Sequence, residues 1–281
     1  MSLAEALEFA TATDRGRVRE HNEDAVFANP HLGLAILADG MGGYNAGEVA
    51  SGMATTLLAA ELEAALAGRS PSAPAHSEPF ARRCLRSCVE SVNAAILAVA
   101  NSQKQCAGMG TTLVAALFYD DRVAVAHLGD SRLYRLRGDQ LLSLTRDHSP
   151  LQEQLDSGLL TLAEARHSQQ RNLLTRALGV DASVDVEIHE HAVAPGDLYL
   201  LCSDGLTEML DDTQIGRVLQ LHGSQPDLAA RQLIRIANDN GGHDNVSVIL
   251  VAVRRGFPAA ANSWWSSFAA RFRQDRRRAG R

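Results

Sequence analysis

The chain has 281 residues, of which 46% are hydrophobic and 21% charged, with a formal net charge of −6. That is enough apolar chain to bury a large core, and the acidic balance argues against a nucleic-acid binder. The charge is uneven: residues 254–281 carry eight arginines against the single acid Asp275, so a tail of +7 follows a body of −13.

The opening MSLAEALEFATATDRG has neither the basic start nor the continuous apolar stretch of a secretory signal. No apolar run approaches the ~18 residues of a membrane span. Leu34–Ala38 is an apolar segment of strand length. Two Ala- and Leu-rich stretches follow, about 46–67 and 80–99, with apolar residues at helical spacings. Between them Arg69–Pro79 holds Pro71, Pro74 and Pro79 and reads as a loop. Residues 112–144 read as a meander of short antiparallel strands: Thr112–Tyr119, Val123–Leu128, Leu133–Arg137 and Gln140–Leu144, turned at Asp120-Asp121 and Gly138-Asp139. Further helices are expected at about 151–165, 213–221 and 226–238, and further strands at Leu198–Cys202 and Val246–Val253. Local strand pairing with helices in separate pairs indicates α+β rather than alternating βαβ. The boundaries drawn are one domain over 1–253 and a basic, Trp/Arg-containing tail over 254–281. Cys84, Cys88, Cys106 and Cys202 are too few for a disulfide scaffold, and a reduced, cytoplasmic protein is expected.

Four segments share one form, an Asp preceded or followed by Gly at the tip of an apolar run: Ala38-Asp39-Gly40, Gly129-Asp130-Ser131, Ser203-Asp204-Gly205 and, ahead of its run, Gly242-His243-Asp244. A fifth acidic pair, Glu23-Asp24, precedes Ala25-Val26-Phe27. Carboxylates gathered at strand ends repel one another unless a cation sits between them, and hard oxygen donors select Mg²⁺ or Mn²⁺. No His/Cys spacing suggests zinc. His189-Glu190-His191 continues the alternation of Val184, Val186 and Ile188 and is expected to face solvent. Two hard ions suit hydrolysis of a phosphate ester, because they lower the pKa of a shared water and hold phosphoryl oxygens for in-line attack. A guanidinium to grip the phosphate completes such a site, and Arg19, just before the acidic pair, is the candidate.

Eight ordered motifs carry a resemblance. They run from Thr13-Asp14-Arg15-Gly16 with Arg19-x-x-Asn22-Glu23-Asp24, through Ala38-Asp39-Gly40-Met41-Gly42-Gly43, Gly108-Met109-Gly110-Thr111-Thr112, Gly129-Asp130-Ser131-Arg132, Thr145-Arg146-Asp147-His148-Ser149 and Leu174-Thr175-Arg176-Ala177-Leu178-Gly179, to Cys202-Ser203-Asp204-Gly205-Leu206 and Asp244-Asn245-Val246-Ser247. Together they resemble the metal-dependent protein phosphatases of type 2C, the PPM family, in its compact bacterial form. The resemblance implies a four-layer α-β-β-α sandwich, two antiparallel sheets flanked by helix pairs, with two Mn²⁺ or Mg²⁺ ions at one edge. It implies that Asp39 bridges the ions and that the Gly40 carbonyl binds one of them. Asp204 and Asp244 complete the other, and Asp130 with Asp204 holds a third, weaker ion. Arg19 binds the substrate phosphate, Glu23 and Asp24 orient waters from behind, and Asn245 supports Asp244. Some eukaryotic members place a histidine after the Asp-Gly as general acid. Here that position is Met41, which leaves the leaving-group proton to a metal-bound water or another group; His127 and His148 are candidates, although capping of the next helix is the expected role of His148. Residues 150–172 match the flap region.

The implied activity is hydrolysis of phosphoserine and phosphothreonine in phosphorylated proteins, opposing a bacterial Ser/Thr kinase, by a monomer that binds no nucleic acid. Two other readings compete. A non-catalytic phosphoprotein-binding module would usually have lost a metal carboxylate, and a phosphodiesterase or nuclease is disfavoured by the acidic body. In the tail, Trp264, Phe268 and Phe272 are spaced by four and would share one helical face among arginines, a pattern for a terminal helix resting on the domain or a solubilising end, or else for docking on an acidic partner or an anionic membrane surface.

Overall fold

The computed structural model describes residues 3–43, 46–68, 71, 74–75, 78–161, 164 and 173–257. The chain opens with one helical turn, α1 (Leu3–Ala6), and the strands β1 (Leu7–Asp14), β2 (Asp24–Asn29) and β3 (Leu34–Met41). Helix α2 (Ala46–Leu66), the two-residue strands β4 (Pro74–Ala75) and β5 (Glu78–Pro79), and helix α3 (Phe80–Ser102) follow. The middle of the chain holds β6 (Gly110–Thr111), β7 (Leu113–Tyr119), β8 (Arg122–Leu128), β9 (Arg132–Arg137), β10 (Gln140–Ser143) and helix α4 (Pro150–Asp156). Last come β11 (Glu187–Ala192), β12 (Leu198–Cys202), the short α5 (Asp204–Thr207), α6 (Asp212–His222), α7 (Pro226–Asp239) and β13 (Val246–Val253).

The strands form two antiparallel sheets, one in the order β1-β13-β12-β9-β10 and the other β11-β8-β7-β3-β2, with β6 beside β3. The four-layer sandwich follows from how β13 is buried. All its residues are buried, which hides any polar alternation in the sequence. Yet Val248 and Leu250 face Leu206, Ile215, Leu219 and Leu233 on the helical side, whereas Ile249 and Val251 meet Leu37, Val114, Phe118 and Tyr199 between the sheets. On the far side α2 and α3 pack Leu58, Leu62, Leu85 and Ile96 onto Ile36 and Leu113. Helix α2 is long and apolar enough by composition to cross a membrane. Its buried residues belong to this core instead, and Glu48, Glu61 and Glu63 interrupt it.

Four expectations are corrected. Residues 112–144 are not one meander, because β7 and β8 lie in one sheet and β9 and β10 in the other. The chain crosses between sheets at Gly129-Asp130-Ser131, where Gly129 has φ +101° and a side chain there would press on Thr112. The crossing sets Asp130 at the sandwich edge. The helix expected over 151–165 is α4, which stops before Ser157 and Gly158, the latter at φ +71°. The cap of α4 is Ser149, whose Oγ accepts from the Gln152 N–H at 3.1 Å, and not His148. His189 is only 24% exposed and lies 2.7 Å from the His191 ring, so this pair does not simply face solvent. All four cysteines are buried free thiols. Parts of the proline-rich loop and of the flap, and the whole aromatic-arginine segment, lie outside the described residues.

Candidate active site

The predicted acids converge because three strand ends meet at one edge. Asp39 lies near the end of β3, directly across from Asp24 at the start of β2. Asp204 begins α5 immediately beyond β12, and Asp244 precedes β13. Asp130 arrives from the crossing between the sheets. A cavity of about 230 Å³ is lined by Arg19, Glu23, Asp39, Gly40, Asp130, Asp204 and Asp244, among others. Asp24 stands one layer behind it.

This concentration of acid is costly. Burial first, and then the neighbouring carboxylates, push Asp39 and Asp204 well above the usual range. Burial raises Asp24 to about 6, opposed by hydrogen bonds from Ser247 and Ser203. Burial and then Asp147 raise Asp130 to about 7. Glu23 is raised by burial against the opposing pull of Arg19. Asp24 Oδ1 and Asp204 Oδ1 are buried with no hydrogen-bond partner among the described residues. Orphaned carboxylate oxygens in an all-oxygen donor set are what a hard divalent cation requires, so the residues fit Mn²⁺ or Mg²⁺.

The backbone around the acids leaves no slack. A side chain at Gly40 would overlap the Gly47 and Glu23 carbonyls, so only glycine lets the end of β3 approach α2. The Gly40 N–H donates to the Glu23 carbonyl at 3.1 Å. The Asp39 N–H donates to Thr112 Oγ1 at 3.0 Å, and the Asp39 carbonyl accepts from Thr111 Oγ1 at 2.8 Å. A layer of hydroxyls that sequence reasoning did not single out lies beneath. Ser203 donates to Asp24 Oδ2 at 2.8 Å, Thr112 and Ser131 share a bond of 2.7 Å, and Thr13 and Ser247 share another of 2.7 Å. They fall inside the ordered motifs, but nothing in the sequence marks them as partners of the acids.

Arg19 sits at the mouth, 51% exposed, and its Nη2 donates to Asp244 Oδ2 at 2.7 Å. Its loop is tied down by Asn245. The Asn245 amide donates to the carbonyls of Arg15 (3.0 Å) and His21 (2.8 Å), and its oxygen accepts the Glu23 N–H at 2.7 Å. Support of Asp244 comes instead from the Asn245 backbone N–H, 2.8 Å from Asp244 Oδ1. Asn245→Ala is therefore expected to lower kcat/KM on a phosphopeptide about 10- to 100-fold, chiefly by raising KM, with only a modest loss of Tm. Steady-state kinetics beside a thermal melt check this; an unchanged KM would refute the role.

The two histidines considered as general acids do not line this cavity. His127 is fully buried, and burial pushes it down to about 3, so it stays neutral. The His148 ring accepts the Gly129 N–H on Nδ1 at 3.1 Å. The proton of the neutral ring therefore sits on Nε2, 3.1 Å from Glu187 Oε2. His127, His148 and Glu187 do bring donor atoms within 4.8 Å of one another, but that tautomer leaves His148 no free lone pair for a metal. His148 instead braces the turn that carries Asp130.

A family model described as protein phosphatase 2C matches residues 13–241. The serine/threonine phosphatase stp of Listeria monocytogenes is 40% identical over 242 residues, 85% of this chain and 93% of that one. The crystal structure of the Mycobacterium tuberculosis serine/threonine phosphatase PstP/Ppp superimposes with a TM-score of 0.78 at 38% identity, covering 89% of this chain and 100% of that one. A structure of the PstP catalytic domain in complex with two manganese ions gives a TM-score of 0.76 at 37% identity, covering 89% of this chain and 99% of that one.

Proposed function

The chain belongs to the protein phosphatase 2C family, and from that premise we propose how its residues divide the work of a metal-dependent phosphoserine/phosphothreonine protein phosphatase. The observation that carries the reading is the convergence of Asp39, Asp130, Asp204 and Asp244 on one cavity with Arg19 at its mouth. Asp39, the Gly40 carbonyl, Asp204 and Asp244 would hold two Mn²⁺ or Mg²⁺ ions, and Asp130 with Asp204 a third. When bound, such ions supply Lewis-acid charge that activates water and stabilises the phosphoryl group in flight.

The chain's own groups do the rest. The Arg19 guanidinium binds the phosphate and turns it toward the carboxylates, a task suited to a planar, permanently charged donor fork. Glu23, fixed through its backbone to Asn245 and Gly40, orients water at the cavity wall. Asp24, gripped by Ser203, sets the charge behind Asp39. Met41 cannot donate a proton and neither His127 nor His148 lines the cavity, which favours water as the source of the leaving alkoxide's proton. Hydrolysis of a phosphothreonine peptide with Mn²⁺ and with chelator tests the reading: turnover should require the ion. Absence of turnover in a folded, metal-loaded sample would favour a phosphoprotein-binding module.

We assign the catalytic unit to 1–253 and the basic tail to 254–281. The enzyme acts as a cytoplasmic monomer, its substrates include a cognate Ser/Thr kinase, and it has no nucleic-acid partner. The aromatic and arginine residues of the tail suit docking on an acidic partner or an anionic membrane surface. On anionic vesicles the full chain should float and a form ending at Arg255 should not; equal recovery would remove the membrane version.

A further inference from the structure

A second and larger groove, about 640 Å³, adjoins the metal cavity, and Asp130 and Asp204 line both. One wall is α4, which presents Leu151 and Leu155, and the other is the segment 207–214, with Met209, Asp211 and Asp212. Among the described residues Arg132 is the one cation lining it, and its charge is already spent. Its Nε and Nη2 donate to the two Asp147 oxygens at 2.8 and 2.7 Å, and its Nη1 donates to the Tyr134 hydroxyl at 3.1 Å. Tyr134 in turn donates to Asp212 Oδ1 at 2.9 Å. Asp211 accepts the Gln214 N–H on Oδ1 at 2.9 Å as the cap of α6. Each of these two exposed aspartates thus gives one oxygen to the fold, and no cation among the described residues of the groove neutralises either.

We propose that this groove receives an arginine or lysine side chain of the phosphoprotein, a few residues from the phosphorylated position, and so selects basic sequences. The inference rests on the phosphatase reading and deepens it. The shape and the chemistry agree with such an occupant. The aliphatic stem would lie along Leu151, Leu155 and Met209, and the cationic head would reach Asp211 and Asp212. A purely apolar side chain would bury nothing against those carboxylates, and an acidic one would be repelled. Because the groove shares a wall with the phosphate cavity, one short peptide can occupy both.

Phosphothreonine peptides that differ at a single position, carrying Arg, Ala or Glu in turn from four residues before to four after the phosphothreonine, test this. They would be assayed with the full-length enzyme and with Asp211→Asn/Asp212→Asn, which keeps an acceptor for Gln214 and for Tyr134. At one position the wild type should favour Arg over Ala in kcat/KM by about fivefold, the scale of an exposed ion pair. The ratio should fall toward one in the double variant and at raised salt. A flat or acid-favouring scan would overturn the proposal, as would an Arg preference that survives the double variant. So would a double variant that changes only the Mn²⁺ requirement, equally for all peptides, since the aspartates would then hold an ion. Turnover without preference removes the groove proposal alone. No turnover on any peptide or on a small aryl phosphate removes the phosphatase reading and this inference with it.

Discussion

Asp39→Asn is expected to abolish phosphopeptide turnover while making the metal-free protein more stable. Asp39 is half-buried among Asp24, Asp204, Asp130 and Asp244, and loss of solvent with that repulsion raises its pKa well above the usual range. An amide of the same shape removes one charge from this cluster. Its backbone bonds to Thr111 and Thr112 do not involve the carboxylate and should persist. The metal-free variant should therefore melt a few degrees higher, and the gain should widen with pH as the wild-type carboxyl is forced to ionise. Catalysis should move the other way. A neutral amide oxygen would hold divalent ions far more weakly than a carboxylate, and kcat/KM should fall about a thousandfold or more. Activity within tenfold of wild type, or a lower melting temperature in chelator, would contradict the role given to Asp39.

Much of this arrangement is legible in the sequence because apolar runs end in Asp beside Gly, a local signal. β12 and β13 stand where the apolar runs place them, at Leu198–Cys202 and Val246–Val253. What is not legible depends on which layer a strand joins. Two-residue turns after β7 and β9 predict pairing, and both pairs form, but the link at Gly129-Asp130-Ser131, only one residue longer, joins two sheets. Length alone does not separate a hairpin from a crossing. Single hydroxyls such as Ser131 and Ser203 leave no periodic trace, so the bonds that restrain the acids emerge only in three dimensions. The same holds for His148. Its place before a helix suggests a cap, whereas its ring turns toward Gly129 and Glu187. The basic-residue groove lies between α4 and a segment more than fifty residues later in the chain, which no motif connects.

The metal-free protein is expected to lose stability as pH rises from about 4 through 7, and divalent metal should reverse the trend. Asp24 moves from 3.8 to about 6 and Asp130 from 3.8 to about 7, both chiefly through burial, and Asp39 and Asp204 are raised well above the usual range by burial and then by neighbouring carboxylates. A carboxyl whose pKa is higher in the folded state keeps its proton there while the unfolded chain has lost it. The folded state then binds more protons than the unfolded one, so stability falls with increasing pH across that window. For Asp24 alone the shift corresponds to a few kcal/mol, on the order of several degrees in Tm. Mn²⁺ binds the ionised carboxylates and competes with protons, so its stabilisation should grow over the same range. Thermal melts from pH 4.5 to 8.5, in chelator and in Mn²⁺, should give two curves that diverge as pH rises. Asp130→Asn should flatten the chelator curve near pH 7. An Mn²⁺-induced Tm shift as large at pH 5 as at pH 8 would mean that the acids of this cavity are not the groups that bind the ion, because only a proton-competing site makes metal affinity climb through the pKa values of its own ligands.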